Sequence, residues 1–262
     1  MTDDTHALVQ HTSDARGVHL ICLNRPDAFN ALSSEVMTAL QQSLDAVAQD
    51  PLARVVVLSA KGKAFCAGHD LREMRATPSL AYYQDLFHQC SRMMMSVQRL
   101  PVPVIAVVNG IATAAGCQLV AMCDLAVASQ TSKFAVSGVN LGLFCSTPSV
   151  ALSRNLSRKA VFEMLVTGDF ITAEEALVKG LVNAVVASES LDVTVQRYVD
   201  SILAKPRTAI AMGKKLFYEQ LEQPLEAAYA NAEHTMACNM MDDTALEGVQ
   251  AFIEKRSPTW KA

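Results

Sequence analysis

Two stretches of small residues constrain this chain more than any other feature. They are AFCAGHDLRE, Ala64–Glu73, and NGIATAAGCQL, Asn109–Leu119. In each, small side chains precede an apolar helical pattern, and the start of a helix presents main-chain N–H groups with no partner inside the helix. Such donors suit a carbonyl oxygen that becomes negative during reaction, and two of them make an oxyanion hole. The same composition also serves a tight corner where a helix packs on a strand, and at this level both readings stand. Gln118 sits one turn into the second helix, where an acid–base enzyme would want a carboxylate. A neutral amide cannot shuttle a proton.

The rest of the chain alternates β-rich runs with helical patterns. Val18 to Leu23, Arg54 to Ser59, Val104 to Val108, Leu125 to Ser129, Lys133 to Val136 and Leu181 to Val186 read as strands. A helix is expected from about Ser34, with Val36, Leu40, Leu44 and Val47 on one face, Ser34 as its N-cap and a stop at Asp50-Pro51. Arg72 to Gln98 reads as one helix with a mobile start, its Met93, Met94 and Met95 filling core. A further helix opens near Thr147 or Pro148, Thr172-x-x-Glu175 is a capping box, and Gly180 is a stop. About three more helical patterns follow Leu191. The expected class is α/β, with a core over residues 1–190 and a helical region over 191–262.

With 51% apolar residues in 262, the chain can bury a large core. Its 22 basic and 26 acidic residues leave a net charge of −4 without a basic block, so nucleic acid is not an expected partner. The most apolar region, Val102 to Ala128, is interrupted by Asn109, Gln118 and Asp124 and reads as strand, helix, strand; no membrane association is expected. The opening MTDDTHALVQ carries early acids and no targeting pattern, which makes the cytoplasm the expected compartment. Seven dispersed cysteines lack zinc-type spacing, so no metal is expected and the thiols read as reduced.

Five separated segments in order carry a resemblance: LNRPDAFNALS (Leu23–Ser33), GKAFCAGHDLREM (Gly62–Met74), PVPVIAVVNGIATAAGCQLVAMCDLAVAS (Pro101–Ser129), TGDFITAEEALVKGLVNAVV (Thr167–Val186) and EGVQAFIEKRSPTW (Glu247–Trp260). The chain resembles the crotonase superfamily, the enoyl-CoA hydratase and isomerase fold, over nearly its full length. The stretches HDLREM, ATAAGCQLVAMCD and GVNLGLFCSTPSVAL resemble one subgroup of that family.

The resemblance implies a ββα spiral core, a helical C-terminal trimerisation region giving a homotrimer or dimer of trimers, and a coenzyme A thioester as substrate, with no further cofactor. It implies a place in fatty acid metabolism. Carried over by motif, the oxyanion donors are the main-chain N–H groups of His69 and Ala115, flanked by Gly68 and Gly116. The CoA moiety would meet Ala28, Ala67, Asp70, Leu71 and, at its phosphates, Lys255. Hydratases of this family use two glutamates, and those positions here are Gln118 and Gly138. Asp70 and Glu73 read better as capping or paired residues, His88 as a side chain near the pocket, and Cys145 and Ser146 lack an identified base. The expected function is an acyl-CoA-processing enzyme stabilising a thioester enolate. An acyl-CoA-binding protein without turnover, or another crotonase-type reaction such as thioester hydrolysis or decarboxylation, stands as the alternative.

Overall fold

Alternate residues of the central strands face opposite sides, and both sides are apolar. The computed structural model describes residues 7–260; the MTDDTH run on which the compartment expectation rests lies outside them. β1 (Val9–Ser13) and β2 (Val18–Leu23) pair antiparallel, and α1 (Ser34–Gln49) follows. The chain then repeats one unit, a strand for a large sheet, a short strand for a small sheet, and helix. β3 (Val55–Ala60), β4 (Ala64–Cys66), α2 (Leu71–Ala76) and α3 (Leu80–Arg99) form the first turn; β5 (Val104–Val108), β6 (Ile111–Thr113) and α4 (Ala115–Met122) form the second. The third is β7 (Leu125–Ser129), β8 (Lys133–Ala135), α5 (Ser146–Leu152) and α6 (Arg158–Thr167). β9 (Ile171–Thr172), α7 (Ala173–Lys179) and β10 (Ala184–Val186) close it, before α8 (Leu191–Leu203), α9 (Arg207–Gln220), α10 (Leu225–Met240) and α11 (Asp243–Ile253).

The large sheet runs β1-β2-β3-β5-β7-β10, parallel beyond the first hairpin, and the small one runs β4-β6-β8-β9. This is the ββα spiral that the resemblance implies. Val56 and Leu58 of β3 enter the core shared with Leu40, Leu44, Met93 and Met94. Val55 and Val57 face the other way, with Val18, Ile105 and Val127, and meet Leu191, Val195 and Val199 of α8. Burying each such side chain contributes about 1.5–3 kcal/mol, and the Arg54 guanidinium beside β3 adds a polar tie by donating to the Leu203 carbonyl at the end of α8 at 3.1 Å. The packing therefore makes α8 a layer of the core, and the division expected at residue 190 cuts between a helix and the sheet it covers.

The structure adjusts other expectations. Ser33 rather than Ser34 caps α1, its Oγ accepting from the Val36 N–H at 3.2 Å. Arg72 to Gln98 is two helices, because the residue before Pro78 is kept out of helical geometry. Met93 and Met94 are buried in the core while Met95 is exposed. The capping box at Thr172 and Glu175 and the left-handed stop at Gly180 are present as read. The short strands β4, β6 and β9 have too few residues to show a period.

Candidate active site

The two small-residue stretches meet through a third segment, the turn after β2. Asn30, fully buried and left-handed at φ 53°, accepts the Arg25 N–H at 2.8 Å and donates to the carbonyls of Lys61 and Ala64, both at 2.8 Å. The Ala67 N–H donates to the Phe29 carbonyl at 3.0 Å, which ties Ala67 to the residue that follows Ala28. Leu32 then bridges the AGHD turn in parallel: its N–H donates to the Gly68 carbonyl at 2.7 Å and its carbonyl accepts from the Asp70 N–H at 3.3 Å. In a parallel bridge the intervening residue faces away. The His69 N–H is that residue's donor, and it has no acceptor among the described residues.

The second donor comes from the start of α4. The Ala114 N–H is held by the Ala135 carbonyl at 3.0 Å, and the first helical bond runs from the Gln118 N–H to the Ala114 carbonyl. Ala115, Gly116 and Cys117 thus carry the unpaired N–H groups of a helix start. Ala114 itself has φ 50° and ψ −121°, a conformation that a side chain makes costly and that turns the chain sharply into the helix. A Cβ on Gly116 would stand 2.1 Å from the Cys66 carbonyl oxygen, so α4 starts directly against the end of β4. A Cβ on Gly68, at φ 92°, would stand 2.9 Å from the Ala114 Cβ and 3.3 Å from the Ala115 nitrogen. The backbones that bear the His69 and Ala115 N–H groups are therefore in contact. Tight packing and free donors are here one arrangement, since the segments that the glycines let touch leave both N–H groups without an acceptor among the described residues.

Several side chains around this point have settled structural tasks. Asp70 accepts from the N–H groups of Arg72 and Glu73 through one oxygen and from the Arg25 guanidinium at 2.7 Å through the other. Both its oxygens are occupied, and the positive neighbour with these donors holds its pKa low against the opposing effect of burial. Glu73 binds the N–H and hydroxyl of Ser34 at the start of α1. Leu71 is half exposed beside them. Lys255 follows α11, is exposed, and belongs to a terminal segment held where the Trp260 indole donates to the Ala204 carbonyl at 3.1 Å.

The groups left without tasks are more informative. Both ring nitrogens of His69 are buried without a hydrogen-bond partner, and the ring stands edge-on to Phe87 at 5.5 Å. Burial pushes its pKa down, with the charge of Glu73 opposing. Gln118 is 5% exposed and its Oε1 has no partner. The Tyr82 hydroxyl is likewise buried and unpartnered, which the sequence reading missed because a tyrosine in a helical pattern gives no sign of where its hydroxyl ends. Also missed was the torsion of Ala114, which an alanine does not advertise.

Gly138 lies in the loop after β8, tied to the end of β6 by a hydrogen bond of 3.0 Å between Thr113 and Ser137 hydroxyls. Its N–H donates to Cys145 Sγ at 3.3 Å, and a Cβ at Gly138 would stand 2.7 Å from both that sulfur and the Leu143 carbonyl oxygen. A side chain there would force the Leu143 carbonyl and the Cys145 sulfur to move. Burial raises the pKa of the Cys145 thiol and lifts those of Cys66 and Cys117 to about 12, so none is a ready nucleophile. Ser146 donates to the Phe144 carbonyl at 3.3 Å, and His88 is exposed on α3.

Residues 13–262 match the family model described as enoyl-CoA hydratase/isomerase. The chain belongs to the enoyl-CoA hydratase/isomerase family. Within it, the chain is 45% identical to enoyl-CoA hydratase domain-containing protein 3, mitochondrial, of Xenopus laevis over 257 residues, covering 96% of this chain and 87% of that protein. The human protein of that name is 44% identical, with 93% of this chain and 80% of that protein covered. A crystal structure of an enoyl-CoA hydratase from Mycobacterium smegmatis is 62% identical and superposes with a TM-score of 0.96, covering 97% and 98% of the two chains. The crystal structure of the human domain-containing protein 3 gives 43% identity, a TM-score of 0.93, and coverage of 97% and 100%. The crotonase fold and the likeness to domain-containing protein 3 therefore stand as expected from the motifs. The vertebrate relatives are named as mitochondrial, which leaves the cytoplasm unsupported by them, and no helix of the described residues is long and apolar enough to cross a membrane.

Proposed function

We propose that this family member binds an acyl-CoA thioester with its carbonyl oxygen between the main-chain N–H groups of His69 and Ala115, and that the pair stabilises the enolate formed there. The observation that carries this reading is the contact between the two backbones together with the lack of a protein acceptor for either N–H. Each such donor is worth about a hundredfold to a thousandfold in rate. Backbone donors survive changes of side chain, so the hole persists where the acid–base groups do not. The main chain of Ala28, Ala67 and Leu71 is our proposed cradle for the CoA moiety.

The proton chemistry is the point of divergence. Hydration of a double bond needs a base to activate water and an acid to protonate carbon, each contributing about a hundredfold to ten-thousandfold. Gln118 does not ionise, and a side chain at Gly138 would force the Leu143 carbonyl and the Cys145 sulfur to move. These two facts favour a second reading, an acyl-CoA-binding protein without hydratase turnover. A different reaction at the same pair of donors, such as thioester hydrolysis through a tetrahedral oxyanion or decarboxylation to an enolate, would need a proton carrier such as the His69 ring. We read an acyl-CoA site in which fast hydration is absent. Calorimetric titration with acetyl-, crotonyl- and long-chain acyl-CoA tests the site, and loss of the ultraviolet band of crotonyl-CoA tests hydration. Binding with little turnover is the expected result; absence of binding to every ester defeats the proposal.

We further propose assembly as a trimer, or two trimers, through the C-terminal helices. Leu225, Tyr229, Met236 and Met241 are exposed there, and a cavity of about 670 Å³ lies between α9 and α10, walled by Met212, Leu216, Met236 and Met240.

A further inference from the structure

Ala115, Gln118, Ala121 and Met122 fall on one face of α4, at helical spacing. Gln118, Ala121 and Met122 line a cavity of about 670 Å³ that begins one turn past the Ala115 N–H and extends among α3, α4, α5 and the end of α9. Met94, Met95, Val150, Phe217 and Leu221 give it apolar walls. It runs from the interior to the surface: Gln118 and Ala151 are 5% and 2% exposed, whereas the side chains of Arg154 and Glu222 are 51% and 62% exposed.

Those last two residues close the outer rim. Arg154, just after α5, donates from Nε to Glu222 Oε1 at 2.9 Å and from Nη2 to Oε2 at 3.4 Å, while its Nη1 donates to the Val150 carbonyl at 3.1 Å. Glu222 stands just past α9. The helix itself is held differently: buried Lys214 at its middle binds Asp124 at 2.6 Å and the carbonyls of Val97 and Val102, and the Tyr218 hydroxyl in its last turn donates to Asp124 at 2.8 Å. These anchors fix α9 through its last turn, while Glu222, just past its end, is joined to Arg154, just after α5, by one exposed ion pair, a type of contact that contributes little to stability. The closure of the rim is thus the easiest part of the cavity wall to open.

We propose that Arg154 and Glu222 are specificity-determining residues: their ion pair shuts the rear of the acyl chamber and sets the chain length that the site admits. The inference rests on the reading that a thioester carbonyl sits at the His69 and Ala115 N–H groups. Its acyl chain then leads along the α4 face, past Gln118, into this cavity. Chains that fill the chamber meet the pair, and longer ones fit only when it parts.

The test is the affinity of butyryl-, octanoyl- and dodecanoyl-CoA, each below its micelle concentration, for the native chain, Arg154→Ala/Glu222→Ala and the charge-exchanged Arg154→Glu/Glu222→Arg. The double alanine variant should raise dodecanoyl affinity relative to butyryl by about tenfold or more, the effect of letting two or more further methylenes stay buried. Butyryl affinity should be unchanged, and the exchanged pair should restore the native ratio. A dodecanoyl-to-butyryl ratio equal in all three proteins, with every ester still bound, overturns the gate and leaves the thioester site standing. Failure of the native chain to bind any ester overturns the thioester reading, and the gate with it.

Discussion

At the scale of single residues, absent atoms matter most. In the proposed correspondence Gly138 stands where hydratases of this family carry a glutamate, and the Leu143 carbonyl and Cys145 sulfur occupy the space a Cβ would need. Gly138→Ala should lower stability by about 1–3 kcal/mol, the usual effect of overpacking, because a backbone carbonyl must move. Urea unfolding of the variant beside the native chain measures it, and equal midpoints would contradict the steric account. Gln118 is the opposite case. Its amide is buried with Oε1 unpartnered, and a glutamate of the same shape fits without new atoms. Gln118→Glu should raise crotonyl-CoA hydration above the native rate by supplying one of the two missing carboxylates, and no gain would mean that a second group is indispensable.

Between elements, polar groups join what the hydrophobic core only brings near. The Asp50 carboxylate, at the end of α1, meets the His19 Nε2 of β2 at 3.1 Å, and His19 Nδ1 meets His11 Nε2 of β1 at 3.0 Å. Burial, and then His19, lower the pKa of His11 from its ordinary 6.5; burial likewise lowers that of His69. Folding therefore favours the neutral rings. Their contribution is present above pH 6.5 and is lost as pH falls through the window below that value, where the unfolded chain takes up protons first. Unfolding free energy should fall between pH 7.5 and 5.5, and His11→Asn should flatten part of that slope; a slope unchanged by the substitution would remove His11 from the account. The Lys214–Asp124 pair is a stronger link. Lys214→Ala leaves a buried carboxylate without its cation and should cost about 3–5 kcal/mol, read as a lower unfolding midpoint.

These element contacts also mark how far the sequence could be read. The long strands and the capping signals at Thr172 and Gly180 were legible because period, composition and turn chemistry agree locally. The small-residue stretches showed that the backbones would approach closely, and the family motifs named His69 and Ala115. The partners of Asn30, the torsion of Ala114 and the placement of α8 on the sheet depend on segments far apart in the chain, and no local pattern encodes them. Asp70 and Glu73 were legible as capping residues, but that the former binds Arg25 and the latter Ser34 needed coordinates.

For the whole molecule, the spiral fixes the two donor segments while the C-terminal helices supply the chamber wall and the proposed assembly surface. Light scattering at micromolar concentration should give three or six times the 28.3 kDa mass of the chain, and a monomer would contradict the assembly proposal. The most direct measurement of the central claim is the isotope-edited infrared spectrum of an acyl-CoA carrying carbon-13 at the thioester carbonyl, free and bound to the native chain. Two main-chain donors on that oxygen should move its stretching band to lower frequency, and Ala115→Pro, which removes one N–H at a helix position where proline is tolerated, should return the band part of the way. A bound thioester whose band matches the free ester would contradict the account.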